Sequence, residues 1–317
     1  MPSSAARSFT DPDDYASAIP KATYEITIMQ RGQFAAELVH IELHSLLLRH
    51  FAEHLPRTAQ IETWSGQTSI GFLTRPGAGI ITSGTPVSST EVIARTPHNQ
   101  SHYLVLPGPA SYGTISLPSD KIAAISTAMV GQDLTAPREF VHVRPAPESV
   151  ARLQGLHRAA CDLAVHAPAV LTQPEAASGL EQALIEAMMD CLGGGGEAFE
   201  DRAALRQHAM IMRRFRRAVE EKPDQAVFIP ELCTLIGVSE RTLRVCCQEH
   251  LGMSPKRYLL LRRMHLARRG LREGISPKTT VTEIATQYGF WQFGRFAGEF
   301  KALFGESPSA ILARPAE

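Results

Sequence analysis

One stretch of this chain repeats itself, and that repeat limits the fold more than anything else in its 317 residues. Ile229 to Pro255 reads IPELCTLIGVSERTLRVCCQEHLGMSP, and Val281 to Pro308 reads VTEIATQYGFWQFGRFAGEFKALFGESP. Glu231-Leu232-Cys233 aligns with Glu283-Ile284-Ala285, Gly237 with Gly289, Leu243 with Phe296, and the Gly252 to Pro255 tetrapeptide with Gly305 to Pro308. Each copy parses as helix, tight turn, helix. Pro230 suits a first helical position, and Thr280 with Glu283 makes a capping box. Gly237 and Gly289 stand where the chain must turn, and Gly252 and Gly305 where each second helix stops. Ser254-Pro255 and Ser307-Pro308 then start the next helices as N-cap and first residue. A small residue, Cys233 or Ala285, marks where the paired helices cross. This is a helix-turn-helix, twice.

The charge agrees with the repeat. The chain is formally neutral, yet residues 1–200 carry 12 Lys and Arg against 20 Asp and Glu, while residues 201–317 carry 20 against 12. Sixteen of those last 20 are Arg, the side chain suited to bidentate phosphate and base contacts. A basic end on an acidic body points to nucleic acid at one end and another task at the other. On the second helix of copy one, Leu243, Cys246, Cys247 and His250 share a face at core spacing. Arg241, Arg244, Val245 and Gln248 share the opposite face, which is what a major-groove reader offers. Ser239 and Thr242 at the start of that helix and Lys256 just beyond it complete the expected DNA-contact set of copy one.

Copy two is more apolar. Its second helix buries Phe296, Phe300, Leu303 and Phe304 and leaves Gly294, Arg295, Gly298 and Lys301 outward. Gln292, Phe293, Arg295 and Lys301 are its expected DNA contacts, through phosphates and thymine methyls more than polar base readout. Trp291 reads as a packed helix start. Between the copies, Pro255 to Arg272 makes a helix of about 27 Å, enough to hold two readers about one DNA turn, 34 Å, apart. Leu259, Leu260, Met264, Ala267 and Leu271 form its buried stripe, with Arg262, Arg263, Arg268 and Arg269 directed to phosphate or solvent. Arg213, Arg214, Arg216 and Arg217 fit either a solvated face or phosphate contact.

These residues resemble the DNA-binding domain of AraC/XylS-type transcription regulators over about 215–312, most specifically in GVSERTL, GMSPKRYLL and TVTEIATQYGF. In GFWQFGRFAGEFKALFGESPS the second copy looks closest to the subgroup that includes ethanolamine-utilisation regulators. The resemblance implies an effector-responsive activator that binds double-stranded DNA as a homodimer and contacts RNA polymerase. It also implies a β-rich regulatory domain with a small-molecule effector pocket, followed by dimerising helices.

The rest of the chain fits that outline. Residues 24–143 read as short strands, at Tyr24–Met29, Ser45–Phe51, Thr68–Leu73, Thr90–Arg95 and His102–Leu106. Val39, Ile41 and Leu43 alternate with His40, Glu42 and His44 as in a half-buried strand. RPGAG, SGTP and LPGPASYG supply turns. Val150–Val165 and Pro174–Leu192 are Ala/Leu-rich helices, and four glycines from Gly193 to Gly196 mark a boundary. The expected fold class is α+β in two domains: a barrel- or sandwich-like sensor domain with trailing helices, then an all-α domain of two helix-turn-helix motifs joined by a long helix. The expected boundaries are 1–20 disordered, 21–192 regulatory, 193–206 linker and 207–317 DNA-binding.

No run approaches the roughly 20 apolar residues of a membrane span, and the N-terminus lacks an apolar signal core, so a cytoplasmic protein is expected. Enzyme signatures are missing: no P-loop, no dinucleotide fingerprint, no nucleophile elbow. No cofactor is expected. Five cysteines in no C-x-x-C pair give neither a disulfide framework nor a zinc ribbon. His40, Glu42 and His44 share a strand face, but an exposed polar face explains the alternation without a metal. Two other classes remain open: a regulator controlled by a protein partner through the 150–192 helices, and a metal-binding β-barrel enzyme fused to a DNA-binding domain.

Overall fold

The computed structural model describes residues 2–64, 66–87, 89–97, 101–194, 196–197, 203–221, 227–273 and 279–313. The chain begins with β1 (Ser3–Phe9), α1 (Pro12–Ala18), β2 (Ala22–Ile28), β3 (Ala36–Glu42), β4 (Leu47–Glu53), β5 (Arg57–Thr63) and β6 (Gln67–Leu73). Then come β7 (Ile80–Thr82), β8 (Thr85–Val87), β9 (Ile93–Thr96), β10 (His102–Leu106), β11 (Ala110–Pro118), α2 (Ser119–Val130) and β12 (Val141–Arg144). The strands form two antiparallel sheets. The larger has the order β1-β3-β4-β11-β6-β9-β12-β13, where β13 is Gly196–Glu197; the smaller has β2-β5-β10-β7-β8.

The two sheets face each other across Phe9, Ile26, Leu38, Phe51, Leu104 and Tyr112. The opposite face of the large sheet is covered as well. Two long helices, α3 (Pro147–His166) and α5 (Pro174–Gly193), linked by α4 (Pro168–Leu171), pack Leu153, Leu184 and Met188 on Val39, Ile41, Leu48 and Ile115. Strand β3 therefore differs from its sequence-based reading. Leu38 enters the sandwich core while Val39 and Ile41 enter the helix-covered one, so both faces of the strand are occupied. His40, expected on a solvated face, is half-buried.

Two other expectations are corrected. The first 20 residues, read as disordered, form β1, registered along β3 from Ser3 opposite Glu42 to Phe9 opposite Ala36, and the helix α1. That helix starts where Asp11 accepts hydrogen bonds from the Asp13 and Asp14 amides, with Pro12 in the first turn. LPGPASYG is only in part a turn, because Ala110 begins β11, the strand between β4 and β6.

The remainder is helical: α6 (Ala203–Glu220), α7 (Ile229–Ile236), α8 (Glu240–Leu251), α9 (Pro255–Glu273), α10 (Val281–Gln287), α11 (Phe293–Phe304) and α12 (Pro308–Leu312). They share a core built on Phe215, Leu243, Cys247, Leu261, Ala285, Phe296 and Phe300. The expected 193–206 linker is corrected in part, because Gly193 ends α5, Gly196–Glu197 pair with β12 as β13 and α6 begins at Ala203; Gly195 and residues 198–202 lie outside the described residues. Among the described residues no helix is long and apolar enough to cross a membrane.

Candidate nucleic-acid interface

Both repeats fold as helix-turn-helix units, and the causes are local. Gly237 and Gly289 adopt φ of 76° and 75°, a left-handed conformation that a side chain disfavours, so each first helix turns where the sequence places its glycine. Gly252 and Gly305 do the same at the ends of α8 and α11. Ser239 caps α8 by accepting the Thr242 amide at 3.1 Å. Thr280 and Glu283 form a complete capping box on α10, and Ser307 caps α12.

With α8 fixed at both ends, its faces separate as the spacing requires. Leu243, Cys246, Cys247 and His250 are buried; Arg241, Arg244, Val245 and Gln248 are exposed. Ser239 lies at the tip of this face and Thr242 half-buried beside it, the two hydroxyls 2.9 Å apart. Arg244 is held along the helix by Glu240 at 3.1 Å, an exposed pair whose small net energy a phosphate or base can outcompete. Lys256 is exposed at the start of α9.

On α11, Phe296, Phe300 and Leu303 are buried, and Phe304 is partly buried against His265. Gln292, Phe293, Arg295 and Lys301 are all exposed, and Arg295 pairs with Glu299 at 2.8 Å. The spaces above Gly294 and Gly298 are open, with nothing within 4 Å of a Cβ built at either position. Trp291, expected to pack, is 74% exposed beside Phe293. Together these positions give an apolar, glycine-relieved surface at the N-terminal end of α11.

The arginines of α9 contradict the sequence reading. Arg262 and Arg268, expected at phosphate or solvent, are buried against the acidic N-terminal segment. Arg268 binds Asp11 and Asp13. Arg272 binds Asp11 at 2.7 Å and Asp14 at 2.9 Å, and Arg269 reaches Asp13 and Glu25. Arg262 lies 3.6 Å from Glu25. Burial alone would push Asp11 up, but Arg268 beside it wins and holds its carboxyl below the usual range; for Asp13 burial dominates and the shift is upward. The long helix is thus covered on one side by the helix-turn-helix core and on the other by β2 and α1. Of the α6 arginines, Arg214 donates to the Ile236 carbonyl at 3.2 Å, Arg216 to that of Ser101, and Arg217 pairs with Glu221.

At the centre of this junction the Ile28 amide donates to His265 Nε2 at 2.9 Å. Burial first, then the charges of Arg269 and Arg268, push His265 down to about 3, with Asp11 opposing. Because the folded value lies below the unfolded value of about 6.5, the stabilisation from neutral His265 is complete above that pH and is lost as pH falls toward 3. Each pH unit in that window costs about 1.4 kcal/mol. Unfolding in urea at pH 7 and pH 5 should therefore differ by about 2 kcal/mol through this residue. His265→Gln keeps an acceptor for Ile28 and should remove that increment. An unchanged pH dependence in the variant would show that the junction does not sense this proton.

The acidic hook was missed in the sequence although its signal was there, since Asp-Pro-Asp-Asp is itself a helix start. What no local pattern supplied was its arginine partners some 250 residues away. His40, Glu42 and His44 do not converge: Glu42 pairs with Lys21 at 3.1 Å and His44 lies 3.5 Å from Glu181.

Two capped helix-turn-helix units in one basic domain define a nucleic-acid-binding module. Residues 232–314 match the family described as a helix-turn-helix domain. The probable thc operon regulatory protein of Rhodococcus erythropolis is 42% identical over 94 residues, 30% of this chain and 28% of that protein. The XylDLEGF operon transcriptional activator 3 of Pseudomonas putida is 34% identical over 96 residues, 30% of this chain and 29% of that one. Among solved structures, a probable AraC family transcriptional regulator from Rhodopseudomonas palustris CGA009 is 34% identical and covers 33% of this chain and 98% of its own, with a TM-score of 0.31. The last third of the chain thus carries a helix-turn-helix domain similar in sequence to segments of these two operon regulators. The match spans less than a third of the length of the two operon regulators.

Proposed function

We propose that the chain is a sequence-specific, double-stranded-DNA-binding transcriptional regulator, acting as an activator and not as an enzyme. The observation that carries this reading is the doubled motif with both second helices exposed on their polar or glycine-relieved faces and buried on the other. Ser239, Arg241, Thr242, Arg244, Gln248 and Lys256 form the contact set of the first unit, and Gln292, Phe293, Arg295 and Lys301 that of the second. Residues 21–192 act as the regulatory part, now extended to include β1 and α1, and 207–317 as the DNA-binding part. A small-molecule effector, homodimerisation through α3 and α5, contact with RNA polymerase and a cytoplasmic location complete the proposal; they rest on the family resemblance. Placement with ethanolamine-utilisation regulators rests on GFWQFGRFAGEFKALFGESPS alone.

The two units differ in how they read. A guanidinium at Arg244 can pair with both guanine O6 and N7, and losing such a contact costs about 1–3 kcal/mol at one base pair. Arg244→Ala should therefore weaken binding to the operator far more than to random DNA. Gly298 has open space above it, so Gly298→Leu fits the fold but holds α11 away from the groove, and its loss should fall on both DNAs alike. A competition titration of both variants against operator and scrambled duplexes checks this. A greater loss of specificity in Gly298→Leu would reverse the roles.

A further inference from the structure

We propose that His50, His157 and Cys161 form a binding site for a zinc-class divalent cation, between the large sheet and the helix that covers it. This goes beyond the DNA-binding reading and does not depend on it.

His50 stands on β4, facing the helix-covered side of the sheet with Leu48, whereas Phe51 points into the sandwich. His157 and Cys161 are one turn apart on α3, so they share a face toward that strand. One ligand atom from each of the three residues lies within 4.8 Å of the others, and His157 Nδ1 is 3.9 Å from Cys161 Sγ. Zinc bonds of about 2.1 Å to nitrogen and 2.3 Å to sulfur in a tetrahedron put ligand atoms roughly 3.5 Å apart. Closing the site takes a contraction of about an ångström, within reach of side-chain rotation.

Three features prepare the imidazoles for a metal. The Arg49 carbonyl can only accept, so the 3.1 Å contact to His157 places the proton on Nε2 and leaves the lone pair on Nδ1, beside the cysteine. His50 Nδ1 is shut off from solvent with no hydrogen-bond partner among the described residues, so its lone pair is not committed to another group. The His157 ring fits there because Gly113, opposite His50 in the β4–β11 register, has no side chain. A Cβ at Gly113 would come within 2.5 Å of Nε2.

The donor set selects the ion. Two neutral imidazoles and a thiolate suit zinc and its neighbours, whereas calcium and magnesium need oxygen. Burial pushes His157 down to about 4 and the Cys161 thiol up to about 12, and a thiol gives up its proton when it ligates a metal. The balanced step is displacement: the cation takes the sulfur lone pair and one proton leaves to solvent. Three protein ligands leave a fourth position open to water or another donor. The site would tie α3 to β4.

The test uses the full chain, dialysed against chelator and titrated with Co²⁺ as a spectroscopic probe. Wild-type protein should show a thiolate-to-cobalt charge-transfer band and strong tetrahedral visible bands, saturating at one ion per chain and bleached by Zn²⁺. Cys161→Ser should lose the charge-transfer band, and His50→Gln should weaken binding at least about tenfold. Cys191→Ser, at a buried cysteine outside the site, should keep both. If Cys161→Ser fails to fold by circular dichroism, the half-exposed His50→Gln decides alone. The proposal is overturned by the absence of a thiolate band in the wild type, its survival in folded Cys161→Ser, or unchanged binding in His50→Gln.

Discussion

Glu53→Ala should cost about 3–5 kcal/mol of stability, because it leaves a buried guanidinium without its counter-charge. Glu53 and Arg57 have no exposed side-chain surface. Arg57 Nε and Nη2 donate to the two carboxylate oxygens at 2.7 and 2.6 Å, Nη2 also reaches the Tyr112 hydroxyl, and Nη1 the Leu104 carbonyl. Tyr15 and Tyr112 donate to Glu53 Oε1 at 3.0 and 2.9 Å. Through these bonds one ion pair joins β4 and β11 of the large sheet, β5 and β10 of the small one, and α1. Burial alone would lower the pKa of Arg57, but Glu53 beside it wins and raises it well above the usual value, so the cation cannot escape by deprotonation. Replacing both partners, as in Glu53→Leu with Arg57→Met, removes both desolvation costs but takes these partners from the buried Tyr15 and Tyr112 hydroxyls, so it should recover only part of the loss. Urea unfolding of the three proteins decides. A loss below about 1 kcal/mol for the single change would show that the pair does not pin the sheets together.

That pin was invisible in the sequence, and the reason is general to this molecule. The helix-turn-helix half could be read almost residue by residue because its signals are local: glycines at left-handed turns, serine and threonine caps, and a period that puts Leu243, Cys246 and Cys247 on one side. The sheet half depends on pairings between distant strands. Strand β5, RTAQIET, alternates only over Ala59 to Glu62, a run too short to stand out, and it is a strand because β2 and β10 flank it. Strand β11 was hidden inside a glycine- and proline-bearing stretch. The α9 arginines failed for a related reason. Helical spacing says which residues share a face, but not that Asp11, Asp13 and Glu25 will cover it. The candidate DNA contacts all lie on exposed or half-buried surface, where Arg244 and Arg295 pair with Glu240 and Glu299 one turn along their own helices. Trp291 was the exception, an aromatic that the helix start does not bury.

The acidic N-terminal segment also changes what the basic tail can do. Arg262, Arg268 and Arg272 count toward the charge excess of residues 201–317, yet all three are engaged by carboxylates. The phosphates must therefore meet Arg241, Arg244, Lys256, Arg295, Lys301 and their neighbours. About six such contacts give a slope of log affinity against log salt near −5, a loss of about 10³ in affinity between 50 and 200 mM salt. Electrostatic binding of this size is the largest effect that the account predicts, and it does not depend on knowing the operator. The direct measurement is a salt titration of the full chain on duplex DNA by fluorescence anisotropy. A steep linear slope, reduced by about one unit in Lys256→Ala, is the result that the account predicts. A nearly flat dependence, or no binding to duplex DNA at 50 mM salt, would contradict it.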